Sequence, residues 1–88
     1  MIVQLLTHHI ESIAPYCEAN TSVILLQSGV YAAPKILLMY PSVMVYALSN
    51  DWRASGLIEN PKVKLISDMK WVELCALHHP VITIQDPN

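Results

Sequence analysis

Five short apolar runs are spaced along the chain, and polar or turn-forming residues separate them. The runs are Met1–Leu6, Ser22–Gln27, Val43–Leu48, Val63–Ser67 and Val81–Ile84. The second and third runs are almost continuously apolar rather than alternately apolar and polar, which is typical of strands covered on both faces. We therefore predict five strands and expect these two to lie inside the fold.

The segments between the runs have the pattern of short helices. Ser12 is a suitable cap for a first helix, which tolerates Pro15 in its opening turn. Pro34 is expected to interrupt or kink a second helical segment over Val30–Tyr40. A third helix follows the third run and is expected to end at Gly56, in left-handed geometry.

The fourth helical segment, Met69–His78, follows the candidate caps Ser67 and Asp68. Its apolar positions predict a helix that faces mainly the core, and they are Met69, Val72, Leu74, Cys75 and Leu77. Strand and helix thus alternate along the chain, which predicts βαβ units, a parallel sheet with helices on both faces and right-handed crossovers. The 88 residues allow one domain, over residues 1–88. Ligand or partner chemistry in such a sheet is expected beyond the carboxyl ends of the strands.

The composition is apolar for a small domain and poor in charge. Apolar residues make up 53% of the chain and charged residues 14%, whereas ordinary domains have roughly 45–50% and ~25%. This composition excludes a disordered chain and predicts an exposed apolar face that a partner subunit covers. The net charge is −2 and no run of basic residues is present, so direct binding of nucleic acid by this chain alone is not expected.

No segment predicts a membrane span or a secretory leader. The longest uncharged stretch with a large apolar block, Ile36–Asn50, is broken by Pro41 and is shorter than the ~20 residues that a spanning helix needs. The first basic residue is Lys35, so no positively charged region opens a signal peptide. We expect a soluble cytoplasmic protein.

Three aromatic residues, Tyr31, Tyr40 and Trp52, are candidate interface residues. Protein interfaces are enriched in Tyr and Trp relative to the remaining surface. Trp52 lies in a short polar segment and is therefore expected to be the most exposed of the three. The alternative is that Trp52 is a partly buried packing residue.

Of the two cysteines, only Cys17 is a candidate for a reactive thiol, and no other catalytic residue is expected. If the first helix begins near Ser12, Cys17 lies in its opening turns, where a helix N-terminus stabilises a thiolate. The alternative is a buried small apolar residue, which is the usual state of a free cysteine. Cys75 lies in the middle of the fourth helix on an apolar stripe and is expected in the core.

The tandem histidine pairs His8-His9 and His78-His79 raise the question of a metal site. Zinc needs about four ligands within ~2.3 Å of one ion. The first pair follows the first strand and the second pair precedes the fifth, so a parallel sheet places the pairs at opposite edges. We therefore expect no metal site, and no other pattern indicates a cofactor.

Three blocks of sequence stand out in order, and they are Ser22–Ala33 (SVILLQSGVYAA), Val45–Leu57 (VYALSNDWRASGL) and Lys64–Leu74 (KLISDMKWVEL). The ordered set resembles blocks of the TusB/DsrH family of sulfur-relay proteins and covers most of residues 22–74. The chain departs from the family pattern at Ser28, where the family has Asp, and at Ser55, where it has Arg.

The resemblance implies a DsrE-like three-layer α/β/α sandwich with a five-stranded parallel sheet, in agreement with the pattern of apolar runs. It also implies a place in a persulfide relay, in which a complex of three related small subunits passes sulfur as Cys–S–SH. The implied partners are DsrE-like sister subunits of the TusC/TusD or DsrE/DsrF type, with self-association as the alternative. The implied outcome is 2-thiolation of the wobble uridine in tRNA, and the alternative is dissimilatory sulfur oxidation.

The TusB-like subunit is mainly the structural member of such complexes, and a sister subunit carries the catalytic cysteine. The resemblance therefore implies a structural or assembly role for this chain. Some DsrH-type proteins hold a cysteine in the first helix, where Cys17 is expected. The alternative is thus a chain that carries a persulfide on Cys17 and acts as a sulfurtransferase itself.

Overall fold

All five predicted strands join one sheet in the computed structural model, which describes residues 1–86. The strands are β1 (Ile2–Leu5), β2 (Ser22–Leu25), β3 (Met44–Leu48), β4 (Val63–Ile66) and β5 (Val81–Ile84). Their order across the sheet is β4-β3-β2-β1-β5, and every pairing is parallel. Each strand lies within the apolar run that predicted it, so the prediction of a five-stranded parallel sheet is confirmed.

Short helical segments connect the strands. They are α1 (Ala33–Met39), α2 (Ser49–Ser55), α3 (Asp68–Leu77) and two 3₁₀ helices, Glu11–Tyr16 and Gln27–Ala32. From β1 to β4 the chain crosses the sheet in one direction, and α3 then returns it to the far side of β1. Right-handed crossovers place α3 on one face and the other helical segments on the opposite face. None of the described helices is long and apolar enough to cross a lipid bilayer.

Successive strand residues alternate between two cores, one on each face of the sheet. The larger core, against the 3₁₀ helices, α1 and α2, includes Val3, Leu5, Ile13, Val23, Leu25, Val30, Ile36, Val45 and Trp52. The smaller core, against α3, consists of Ile2, Ile24, Leu26, Leu48, Ile66 and Leu74. The sheet thus lies between two layers of unequal extent, and the predicted three-layer α/β/α sandwich is confirmed.

The first connection is a 3₁₀ helix rather than an α-helix capped by Ser12. Ile10, Ile13 and Tyr16 are spaced three residues apart, which is the repeat of a 3₁₀ helix. Ile10 and Ile13 are buried in the larger core, and Tyr16 packs against it. Ile10 stands at the N-cap without a side-chain hydrogen bond, so the predicted cap is wrong and apolar spacing determines this element.

Pro34 and Gly56 mark helix boundaries where the sequence predicted them. The chain changes from a 3₁₀ helix to α1 at Ala33, and Pro34 lies in the first turn of α1, where its missing N–H leaves no hydrogen bond unmade. Gly56 follows α2 with a φ of 76°, a left-handed conformation that glycine adopts without strain. Both predictions are confirmed.

Helix α3 begins as predicted but exposes more apolar surface than predicted. The Ser67 side chain caps it by accepting a hydrogen bond from the backbone N–H three residues on, at 3.1 Å. Leu74 is buried, whereas Met69 is 75%, Val72 63% and Leu77 74% exposed. The expectation of a mainly core-facing helix is wrong, because Met69 and Val72 lie on the side of the helix opposite Leu74.

Candidate functional site

A cleft lies at the carboxyl edge of the sheet, beside α3, and has a volume of about 530 Å³. Its apolar lining consists of Leu6, Leu26, Leu48, Trp71 and Val72, and its polar lining of Gln4, Gln27, Asp51, Asp68 and Thr83. Residues that end or follow the strands β1 to β4 meet here, which is where parallel sheets place their ligand sites. The position of the cleft in the fold therefore makes it the candidate functional site.

Gln4, in the middle of β1, joins the elements that form the floor of the cleft. Its side-chain carbonyl accepts a hydrogen bond from the Trp71 indole N–H at 2.6 Å and a longer one from the Cys75 thiol, at 3.7 Å. Its side-chain amide donates to the Thr83 hydroxyl at 3.0 Å. Gln4 thus holds β1, β5 and α3 in fixed positions, and its polar atoms are engaged in that task.

The turn after β2 is held in place by two side chains at the rim of the cleft. The backbone N–H of Gln27 donates to the Asp51 carboxylate at 2.8 Å, and the Ser28 hydroxyl donates to the Leu6 carbonyl at 2.9 Å. Gln27 has a φ of 51°, a conformation that costs a non-glycine residue about 1–3 kcal/mol. Asp51 and Ser28 therefore stabilise the strained backbone, and both are engaged with it.

Cys17 lies at the carboxyl end of its helix, not in the opening turns of an α-helix. It directly follows Tyr16, the last residue of the first 3₁₀ helix, and it is half-buried against the larger core. Burial raises the pKa of the Cys17 thiol above its usual range. The predicted stabilisation of a thiolate is therefore wrong, because the end of a helix that precedes Cys17 presents carbonyl groups rather than N–H groups.

Cys75 lies on the other face of the sheet, in α3, half-buried against the smaller core. Burial raises the pKa of its thiol, and the neighbouring Trp71 side chain offsets part of that rise. Cys17 and Cys75 are both free thiols, and the sheet lies between them. Neither thiol is in surroundings that favour its ionised form.

Both thiols should react slowly with iodoacetamide at neutral pH. A raised pKa leaves less thiolate, which is the form that attacks the reagent. The alkylation rate of the native protein should therefore still be increasing above about pH 8.5, where a free cysteine is half ionised. Mass spectrometry of each cysteine-containing peptide measures the rates, with the urea-unfolded chain as the reference. A rate for either cysteine that levels off below about pH 8 contradicts the prediction.

Of the three predicted interface aromatics, Tyr31 is exposed and Trp52 is not. Tyr31 is 52% exposed and lines a second cleft, of about 210 Å³, beside α2. Tyr40 is half-buried against the larger core. Trp52 is only 3% exposed, because α2 turns its indole ring into the larger core. The expectation that Trp52 is the most exposed is wrong, and its side chain has almost no surface to offer a partner.

Several exposed apolar side chains lie outside the set of predicted interface residues. They are Leu38, Met39, Met44, Ile58, Met69, Val72 and Leu77. The apolar composition predicted exposed apolar side chains, but their positions depend on which side of each helix faces the sheet.

The two histidine pairs lie at opposite ends of the parallel strands, as predicted. His8 and His9 follow β1, whereas His78 and His79 precede β5, which runs parallel to β1. The rings of His8 and His9 lie 4.1 Å apart. Within residues 1–86, no three His, Cys, Asp or Glu side chains converge in a way that could hold a metal ion.

Comparison with known families gives a match over most of the chain. The model of a family described as DsrH like protein matches residues 5–81. The matched region runs from the last residue of β1 to the first residue of β5 and includes both cysteines and most of the cleft. A search of curated proteins found no match to the chain.

Proposed function

We propose, since this chain belongs to the family of DsrH-like proteins, that it is the structural subunit of a persulfide relay complex. Family membership supports a sulfur-relay subunit in general terms. We further assign to this chain a role in assembly of the complex rather than in sulfur transfer. In this role the chain, a single domain, holds DsrE-like sister subunits of the TusC/TusD or DsrE/DsrF type in position. One of those subunits carries the reactive cysteine.

The state of the two thiols is the observation that carries the proposal. In a persulfide relay, the receiving thiolate attacks the outer sulfur of a donor Cys–S–SH, the S–S bond breaks, and the donor leaves as a thiolate. The receiving thiol must therefore ionise readily, which a positively charged environment favours. Burial instead raises the pKa of Cys17 and of Cys75, and the acidic residue Glu18 follows Cys17 directly. Both thiols are poorly suited to receive sulfur.

The exposed apolar side chains support a docking role. Tyr31, Met69 and Val72 are each more than half exposed, and full burial of a large apolar side chain contributes roughly 1.5–3 kcal/mol. A partner that covers such residues gains this free energy, less the cost of association. We assign Tyr31 and Tyr40 to the interface with a sister subunit.

The outcome that we propose for the relay is 2-thiolation of the wobble uridine of tRNA, in the cytoplasm. The chain has a net charge of −2 and no run of basic residues, so the tRNA backbone is expected to contact another component of the relay. Dissimilatory sulfur oxidation would use the same persulfide chemistry. The final sulfur acceptor, a tRNA base or an oxidising enzyme, distinguishes the two pathways.

Reconstitution with co-expressed sister subunits tests the proposed role. We expect the chain to co-purify with them, and we expect the complex to transfer sulfur at an unchanged rate when Cys17 and Cys75 are both replaced by serine. Serine keeps the size of each side chain and removes the sulfur. Transfer is followed with radioactive sulfur, and intact mass after incubation with a sulfur donor shows which subunit carries a persulfide.

The single variants Cys17→Ser and Cys75→Ser are the matched controls. A persulfide on Cys17 that is lost in Cys17→Ser together with sulfur transfer contradicts the structural role and makes the chain a carrier. Tyr31→Ala should weaken co-purification without changing the fold. Failure of the wild-type chain to bind any sister subunit contradicts the assembly role.

A further inference from the structure

Another cleft, here called the amino-end cleft, lies where β3 and β4 begin and has a volume of about 390 Å³. Five apolar residues and two lysines line it, and they are Leu37, Pro41, Val43, Met44, Pro61, Lys62 and Lys64. Because the strands of a parallel sheet all begin at the same end, this cleft and the candidate functional site lie at opposite ends of the strands. The amino-end cleft is therefore a separate feature of the molecule.

The two lysines of the amino-end cleft have no carboxylate as a partner. Lys64 lies in β4 and Lys62 just before it, and both are exposed. Within residues 1–86, the one ion pair joins Lys70 to Glu73 in α3. The acidic residue nearest to Lys62 in the sequence is Glu59, which lines a different pocket together with residues on the other face of β4. Both positive charges of the cleft are therefore left for a partner.

The charge of the amino-end cleft is opposite to that of the whole chain. The chain has seven acidic and five basic residues and a net charge of −2. Two of those basic residues line the cleft, whereas none of the described residues that line it is acidic. Met44, which is 44% exposed, adds an accessible apolar contact. A partner group that combines negative charge with apolar surface is complementary to this lining.

We propose that the amino-end cleft binds a segment of a partner protein in which acidic residues flank a large apolar side chain. The apolar side chain packs against Met44 and the neighbouring apolar residues, and the flanking carboxylates pair with Lys62 and Lys64. Burial of the apolar side chain supplies most of the free energy of binding, because exposed ion pairs contribute little. The lysines instead select for negative charge. A short segment should bind with a Kd on the order of 1 mM.

A nucleic acid strand matches the amino-end cleft less well than an acidic segment of protein. Sites for single-stranded nucleic acid combine a basic groove along the backbone with aromatic side chains on which the bases stack. The cleft has two lysines, and none of its described lining residues is aromatic. The lining therefore favours the acidic segment, and an oligouridine tests the alternative.

This contact is independent of the proposed relay role and needs no sister subunit, so the isolated chain tests it. The probe is the blocked peptide Glu-Glu-Leu-Glu-Glu, added to the isotopically labelled chain and followed by nuclear magnetic resonance. The peptide should shift the backbone amide signals of Met44, Lys62 and Lys64, and raised salt should weaken the binding. The peptide with Ser in place of Leu, and an oligouridine of the same charge, should each bind at least about tenfold more weakly.

Lys64→Glu and Lys35→Glu are a matched pair of variants. Each changes the net charge of the chain by the same amount, but Lys35 is exposed on α1 and does not line the cleft. Lys64→Glu should weaken binding of the peptide at least about fivefold, and Lys35→Glu less than about twofold. Lys64→Arg keeps the positive charge and should bind as the wild type does. Met44→Gln should weaken binding of the Leu peptide but not of the Ser peptide.

The amide spectrum of each variant shows whether it keeps the fold, and Lys62→Glu replaces Lys64→Glu if the latter does not fold. Equal weakening by Lys64→Glu and Lys35→Glu overturns the proposal, because the attraction then comes from the overall charge. Tighter binding of the oligouridine than of the Leu peptide, or no shift at the cleft, overturns it as well. Shifts of the same amides when the chain is concentrated without peptide would show that a second copy covers the cleft, which also contradicts the proposal.

Discussion

Gly29→Ala is expected to remove most of the stability of the fold. A Cβ atom at position 29 would lie 1.9 Å from the carbonyl oxygen of Leu5 and 2.8 Å from its carbonyl carbon. Both atoms belong to the backbone of β1, and the same oxygen accepts a hydrogen bond from the Leu26 N–H at 3.0 Å. Relief of the clash requires β1 and β2 to separate, at a cost above about 4 kcal/mol. A domain of this size has only about 5–13 kcal/mol of stability in total.

Gly56→Ala is the matched control for this experiment. Gly56 has a positive φ of 76°, but a Cβ atom there meets no atom within 4 Å, so the cost is the backbone strain alone, about 1–2 kcal/mol. Urea unfolding followed by circular dichroism should show a cooperative transition close to that of the wild type for Gly56→Ala, and for Gly29→Ala a transition at a far lower urea concentration or none. A Gly29→Ala chain that unfolds at the same urea concentration as the wild type would show that β1 and the turn after β2 do not approach so closely.

Trp52→Ala should produce the second large loss of stability. Trp52 is 3% exposed and packs in the larger core beneath α2. Truncation of a buried Trp to Ala leaves a cavity and costs about 3–5 kcal/mol. Tyr31→Ala is the control, since Tyr31 is 52% exposed and its loss should cost less than about 1 kcal/mol. Equilibrium unfolding in urea measures both changes in the free energy of unfolding.

Trp52→Phe separates packing from hydrogen bonding at the same position. The indole N–H of Trp52 is buried and has no acceptor among residues 1–86, so the loss of this group carries no hydrogen-bond cost. Phenylalanine keeps most of the apolar volume, and the variant should retain well over half of the stability that Trp52→Ala loses. Equal losses in the two variants would show that packing does not account for the role of Trp52.

The sheet could be predicted from the sequence because its strands are local features. Runs such as Ser22–Gln27 are apolar on both sides of the strand, a pattern that is typical of a covered strand. Pro34 and Gly56 set helix boundaries through their own backbone geometry. The order β4-β3-β2-β1-β5 could not be predicted in this way, because the sequence pattern of β5 does not specify which edge of the sheet it joins.

The candidate site was harder to predict, because side-chain surroundings depend on packing between distant segments. Cys17 has other surroundings than predicted because the helix that precedes it is a 3₁₀ helix. The three-residue spacing of the buried Ile10 and Ile13 could have indicated that form. Trp52 has polar neighbours in sequence but lies on the inward side of α2. The contacts of Gln4 with Trp71 and Thr83 join residues far apart in the chain, and no local pattern predicts them.

The position of β1 between β2 and β5 has a consequence for folding during synthesis. The ribosome makes β1 first of the five strands and β5 last, and the hydrogen bond between Gln4 and Thr83 spans 79 residues. Until β5 has emerged from the exit tunnel, one edge of β1 has no strand to pair with and can bind other nascent chains. The order of translation therefore leaves that edge of β1 open to wrong pairing until the end of the chain has been made.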